Sequence, residues 1–116
     1  MQARIWHNPR CSKSRAALAL LEQRSIGPTI VDYLKNPPTR DELRELVAKL
    51  GCRVADIVRT DEPEYRSFIA NGGQPTDAAL LDLLAREPRL LQRPIVEIGE
   101  RAVIGRPPER VLDILP

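Results

Sequence analysis

Ala3-Arg4-Ile5-Trp6-His7-Asn8-Pro9-Arg10-Cys11-Ser12-Lys13-Ser14-Arg15 is the stretch on which the fold turns. Ala3 to Trp6 has the short, partly alternating make-up of a strand, and His7-Asn8-Pro9 breaks it, because proline lacks an N–H and restricts the residue before it. A helix is expected to begin near Cys11 or Ser12. Beyond that start, Ser14, Ala17, Leu18 and Leu21 recur at the spacing of one helical face. Gly27-Pro28 is the expected stop of this helix, and Thr29-Ile30-Val31-Asp32-Tyr33 reads as a second strand.

Further along, Pro37-Pro38 announces a helix whose Thr39 and Glu42 have the spacing of a capping box. Leu43, Leu46, Val47 and Leu50 form its apolar face, and Gly51 suits its end. Residues 53–88 read as largely helical, with Thr76 capping a run that contains Leu80, Leu83 and Leu84, an Asn71-Gly72-Gly73 turn in the middle, and no strand. Ile95-Val96-Glu97-Ile98 and Arg101-Ala102-Val103-Ile104 flank Gly99-Glu100 as a β-hairpin with glycine at the first central position of a type II′ turn. A final helix is expected with Pro107 or Pro108 in its first turn and Val111, Leu112 and Leu115 on one face. The order β-α-β, helices, β-β-α predicts an α/β chain of thioredoxin-like fold, with a four-stranded mixed sheet flanked by helices and a helical insertion. Its first crossover should be right-handed, which leaves Cys11 in a loop at the carboxyl end of a strand, where open α/β sheets bind ligands.

Cys11 has surroundings suited to a nucleophile. A helix N-terminus favours a thiolate through its unpaired N–H groups and dipole, and Arg10, Lys13 and Arg15 add positive charge close by in sequence. His7 precedes the cysteine, and the Ser14 hydroxyl, one turn on, is able to donate to the sulfur. The same N–H groups would cradle an oxyanion. A lone cysteine is by default a small buried apolar residue, but one that follows Asn-Pro and opens a helix among basic side chains occupies a poor core position. Cys52, which follows Gly51 after an amphipathic helix, fits the packing role instead.

Spacing tests two rival motifs. A thioredoxin-type dithiol needs a second cysteine three residues after the first, and Ser14 stands there, so a resolving thiol must come from another molecule. A cysteine phosphatase loop needs arginine six residues after the nucleophile, where Ala17 stands.

With 116 residues and a net charge of +2, the chain is of one-domain length and has no general attraction for nucleic acid or an anionic membrane. It shows neither a secretory signal nor a long apolar run, and its two cysteines allow at most one internal bridge, so a reducing cytoplasmic setting is expected.

Trp6 to Arg15 resembles the active-site segment of the glutaredoxin-dependent, ArsC-type arsenate reductases. Further landmarks follow in the family's order: Tyr33 to Thr39, Val58-Arg59-Thr60, Asn71 to Leu84, Gln92-Arg93-Pro94-Ile95-Val96 and Ile104-Gly105-Arg106-Pro107. They span essentially the whole chain, read as one domain over residues 1–116. The resemblance implies that Cys11 is the nucleophile and that Arg59, Arg93 and Arg106 hold the oxyanion. Guanidinium suits that task on physical grounds, being a charged planar fork of paired donors. It further implies a cis Arg93-Pro94 bond, a role for His7 in tuning the thiolate, glutathione as co-substrate, glutaredoxin as partner, and no metal or tightly bound cofactor. Ser12-Lys13 departs from the Gly-Thr of well-characterised members, and the sequence reads to Pro116 without their C-terminal extension. The Ser-Lys form is that of an arsenate-reductase-like branch, so a thiol oxidoreductase acting on another substrate is the neighbouring alternative. Spx-type regulators, which share the fold and bind RNA polymerase, are a further one, but their switch is a dithiol and Ser14 replaces its second cysteine.

Overall fold

Strand β1 (Ala3–Trp6) organises the sheet: it pairs in parallel with β2 (Thr29–Val31) and antiparallel with β3 (Ile95–Ile98), which turns into β4 (Arg101–Ile104). The sheet is therefore mixed, in the order β2-β1-β3-β4. These details come from a computed structural model that describes residues 2–115; Met1 and Pro116, the outer bounds of the one-domain expectation, lie outside the described residues. Of the described residues, those up to Lys35 together with those from Arg93 onward form one compact unit, and Asn36–Gln92 form another.

In the first unit, helix α1 (Ser12–Gln23) follows β1. Period-two alternation sorts the strand residues between two faces. Ile5, Val96 and Ile98 meet Ala17 and Leu21 of α1 and Val111 and Ile114 near the C-terminus, all buried. Burying a side chain of this size stabilises by about 1.5–3 kcal/mol, so this cluster anchors α1, and with it Cys11, to the sheet. Arg4, Trp6 and Glu97 occupy the other face, where the indole Nε1 donates to Glu97 Oε2 at 2.7 Å and Arg4 Nε lies 3.6 Å from the same oxygen. Gly99 takes φ +60° at the β3–β4 turn, as the hairpin pattern requires.

Three local expectations change. Helix α1 ends before Gly27-Pro28: Ser25 adopts φ +60°, its N–H donates to Glu22 O, and Ile26 N–H donates to Leu21 O. This is a Schellman ending with serine in the left-handed place usually given to glycine. Ser25→Gly is expected to stabilise the protein by about 0.5 kcal/mol, the relief of left-handed strain exceeding glycine's added unfolded-state entropy, and to raise Tm by roughly 2–4 °C in a thermal melt. Strand β2 ends at Val31 rather than Tyr33, because Asp32 Oδ1 accepts from the Lys35 amide and bends the chain into a turn. The final helix, Pro108–Ile114, is 3-10 rather than α; Pro107 and Pro108 supply no N–H, and Arg110 N–H reaches only to Pro107 O. Its buried residues are accordingly Val111 and Ile114, three apart, with Leu112 and Leu115 partly buried beside them.

The second unit is helical. Helix α2 (Arg40–Leu50) opens with the expected capping box, Glu42 N–H to Thr39 Oγ1 and Thr39 N–H to Glu42 Oε1 at 3.1 Å each, and ends at Gly51 with φ +65°. A 3-10 turn (Val54–Ile57), α3 (Pro63–Ala70), α4 (Asp77–Arg86) and a second 3-10 turn (Pro88–Leu90) follow. Thr76 caps α4 by accepting from the Ala79 amide. Leu80, Leu81, Leu83 and Leu84 of α4 are buried, with Leu43 and Leu46 of α2. A Cβ at Gly73 would stand 2.5 Å from the Phe68 ring, so a larger residue there would have to displace that ring. The only pairing here is an isolated bridge, Val58 to Leu91. Two peptide bonds are cis: Arg93-Pro94, as the resemblance implied, and Arg106-Pro107, which nothing in the sequence singled out. Among the described residues no helix is long and apolar enough to cross a membrane.

Candidate thiol site

The loop between β1 and α1 is tied back on itself. Asn8 Oδ1 accepts from the Arg10 amide, Asn8 O from the Cys11 amide and Ser14 Oγ from the Asn8 amide, while Arg15 Nη1 donates to Pro9 O. This network fixes Cys11 as the N-cap residue of α1, in extended conformation at φ −92°, ψ 121°. The sulfur closes no capping hydrogen bond of good geometry. It nonetheless lies where the helix amides act on it. Burial, the largest single influence, pushes the thiol up; the Ser14 and Lys13 amides, then the Arg93 and Arg106 guanidinium groups, act the other way and together prevail, leaving Cys11 below the ordinary thiol value. Cys52 is also free, but burial and Asp56 push its thiol up, so the two cysteines differ in kind.

Arg93 and Arg106 therefore join Cys11 in one locus. Arg106 Nη1 donates to the Arg93 carbonyl at 2.9 Å, which orders one arginine against the other. Arg93 Nε is buried with no hydrogen-bond partner, a donor left open in a place where an unmet donor is costly. Ser14 is fully buried; its hydroxyl oxygen accepts from the Asn8 N–H, and its backbone amide is a group that lowers the Cys11 thiol.

His7 is buried, and its Nδ1 has no hydrogen-bond partner. Burial lowers its pKa, Asp32 opposes this and Arg15 adds to it, so the imidazole is neutral at pH 7; the groups that shift Cys11 do not include it. Arg59 belongs to the second unit, where its amide donates to Leu90 O at 2.7 Å and its Nη2 pairs with Glu62 Oε1 at 2.8 Å. Among the described residues no group of His, Cys, Asp and Glu side chains is arranged to hold a metal ion.

A cysteine at a helix N-terminus whose thiol is lowered by helix amides and by two arginines of a later segment invites comparison with known proteins. The ArsC family matches residues 6–114. The chain belongs to the ArsC family. Relatives named arsenate reductase include one from Neisseria meningitidis serogroup B, 42% identical over 98% of each chain, and one from Haemophilus influenzae, 42% identical over 99% of this chain and 100% of its own length. The solved structure of an arsenate reductase from Vibrio cholerae superposes with a TM-score of 0.94 at 43% identity, covering 99% of this chain and 98% of that one. The mixed sheet and its helices are thus the thioredoxin-like fold of ArsC proteins.

Within this ArsC chain, sequence reasoning passed over two groups. Asn8 organises the thiol loop, and an Asn-Pro pair before a helix is a recognisable signal for a side-chain-closed turn. Glu97, buried in an otherwise apolar strand and bonded to Trp6 immediately before His7, betrayed itself only as an acid among Ile95, Val96 and Ile98.

Proposed function

We propose that this protein reduces arsenate to arsenite through the Cys11 thiolate, with glutathione and glutaredoxin supplying the electrons. The observation that carries the proposal is the Cys11 sulfur at the start of α1, its thiol lowered by two backbone amides and by the charges of Arg93 and Arg106. The names of the relatives add the substrate.

In the first step the thiolate attacks arsenic(V); an S–As bond forms, an As–O bond breaks, and the oxygen leaves as water after taking up protons. Positive charge and N–H donors stabilise the anion as it changes shape. Arg93 and Arg106 fill that role, and Arg59 is added as a third oxyanion ligand on the strength of the family resemblance. Glutathione then attacks the sulfur of the adduct. An S–S bond forms between glutathione and Cys11, the S–As pair of electrons stays with arsenic, and arsenic(III) departs as arsenite. Glutaredoxin passes a second glutathione's electrons to the mixed disulfide, which restores the thiol and yields glutathione disulfide. The sum is one arsenate and two glutathiones giving one arsenite, one glutathione disulfide and one water. Ser14, standing where a dithiol would have its second cysteine, accords with an external thiol donor, and the scheme needs no tightly bound cofactor. A reducing cytoplasm is its natural setting.

The test is a coupled assay containing arsenate, glutathione, glutaredoxin, glutathione reductase and NADPH. Arsenate-stimulated NADPH oxidation is expected, and it should stop when arsenate, glutathione or glutaredoxin is omitted. Oxidation no faster with arsenate than without it excludes the proposed activity; undiminished turnover without glutaredoxin excludes the donor.

A further inference from the structure

Glu62 occupies the N-cap position of α3, a place where Ser, Thr, Asp or Asn normally turns its side chain onto the helix amides. Its side chain makes no such bond. The carboxylate instead spans two arginines: Oε1 lies 2.8 Å from Arg59 Nη2 and Oε2 lies 3.9 Å from Arg89 Nη2. Arg89 is held more closely by Glu64, at 2.9 Å. The Arg59 and Glu62 side chains are each only 19% exposed, whereas Arg89 is 63% exposed, so the inner pair is the sheltered end of a four-residue chain of alternating charge.

The backbone around Arg59 is equally constrained. Its amide donates to Leu90 O, Val58 bridges to Leu91, and the Gln92 amide donates to Ile57 O. Arg59 thus has a fixed Cα and, through Glu62, a fixed guanidinium tip. The contact with Glu62 is made through Nη2, and a guanidinium has five N–H donors, more than one carboxylate oxygen engages.

We infer that Glu62 is a positioning residue for oxyanion binding: it holds the Arg59 guanidinium through Nη2 and so presets the remaining donors for the substrate. The inference rests on the reading of Arg59 as an oxyanion ligand. A long arginine loses much rotamer freedom when it closes on an anion, and a carboxylate that orders it beforehand removes that loss from the binding step. The carboxylate also subtracts from the positive field of Arg59. Arg89, lying against the far oxygen of Glu62, offsets part of that subtraction.

Glu62→Gln keeps the size and removes the charge. It is expected to raise the KM for arsenate about tenfold while kcat stays within about twofold, since the residue acts on substrate capture and not on the sulfur chemistry. In an Arg59→Ala background the same change should add less than about twofold, because the two residues act as one unit. The exposed Arg89→Ala should raise KM about two- to threefold, which tests the network through a residue whose loss leaves the α3 start intact. The rate of Cys11 alkylation by iodoacetamide, unchanged in all these variants, marks the fold as preserved. An arsenate KM that is unchanged or lower in Glu62→Gln, while Arg59→Ala raises it, overturns the inference and leaves Arg59 in its role. A normal KM in Arg59→Ala overturns the role of Arg59 and the inference with it.

Discussion

Cys11→Ser is expected to lose at least about a thousandfold of arsenate turnover, down to the background of the coupled assay. The size of the loss follows from ionisation and softness together. A thiol lowered by helix amides and two guanidinium groups presents more thiolate than an ordinary thiol at the same pH, whereas a hydroxyl in the same place stays protonated. Serine also cannot form the disulfide through which arsenic(III) leaves, so even a slow attack would end at the ester. The variant keeps the N-cap position and can accept from the Lys13 and Ser14 amides, so its thermal stability should stay close to that of the parent. Arsenate-dependent NADPH oxidation that persists in folded Cys11→Ser protein removes Cys11 from the mechanism.

Arg93→Ala is expected to lower kcat/KM for arsenate by about a hundredfold, the range found when one preorganised donor is taken from an anion site. Two effects combine. The guanidinium charge acts on the Cys11 thiol, and the buried Nε is a donor with no protein acceptor, ready for the substrate. The first effect is separable in a pH profile of iodoacetamide labelling, because labelling tracks the thiolate. Without Arg93 the labelling midpoint should move to higher pH, towards the ordinary thiol value. The sign also sets a stability dependence: the Cys11 pKa is lower in the folded protein than in the unfolded chain, so the thiolate contributes stability above the unfolded thiol pKa. That contribution disappears as the pH falls through the folded value. An unmoved labelling midpoint in Arg93→Ala separates this guanidinium from the sulfur and restricts it to substrate binding.

Those elements whose ends are written in side chains were legible in advance. Thr39 with Glu42, Gly51, Thr76 and Gly99 each satisfy a backbone group or a left-handed turn by local chemistry, and each does so in the structure. Where a competing local contact decided the outcome, the pattern misled. Ser25 takes a left-handed conformation that composition assigns to glycine, and strand β2 gives way at Asp32 to a side-chain-closed turn. Pro107 and Pro108 read equally well as the start of an α-helix or of the 3-10 helix that forms. At the site, Cys11 was visible from its neighbours in sequence. Arg93 and Arg106 were visible only through family likeness, since a solvated arginine and an anion ligand look alike in a chain with 18 basic residues. Glu62 was invisible altogether, because a carboxylate three residues after an arginine gains meaning only from its distances.

The division of the first unit by the second bears on how the protein is made. Strand β1 leaves the ribosome well ahead of its antiparallel neighbour, which begins at Ile95, about 90 residues later, a delay of roughly 5 to 20 s at ordinary elongation rates. Throughout that interval the nascent chain can pair β1 only with β2. The residues from Asn36 to Gln92 are contiguous and emerge in one piece with their helix caps already in hand. The helical unit can thus form during synthesis before the sheet is complete, and the thiol loop gains its two arginines only after that whole unit has emerged.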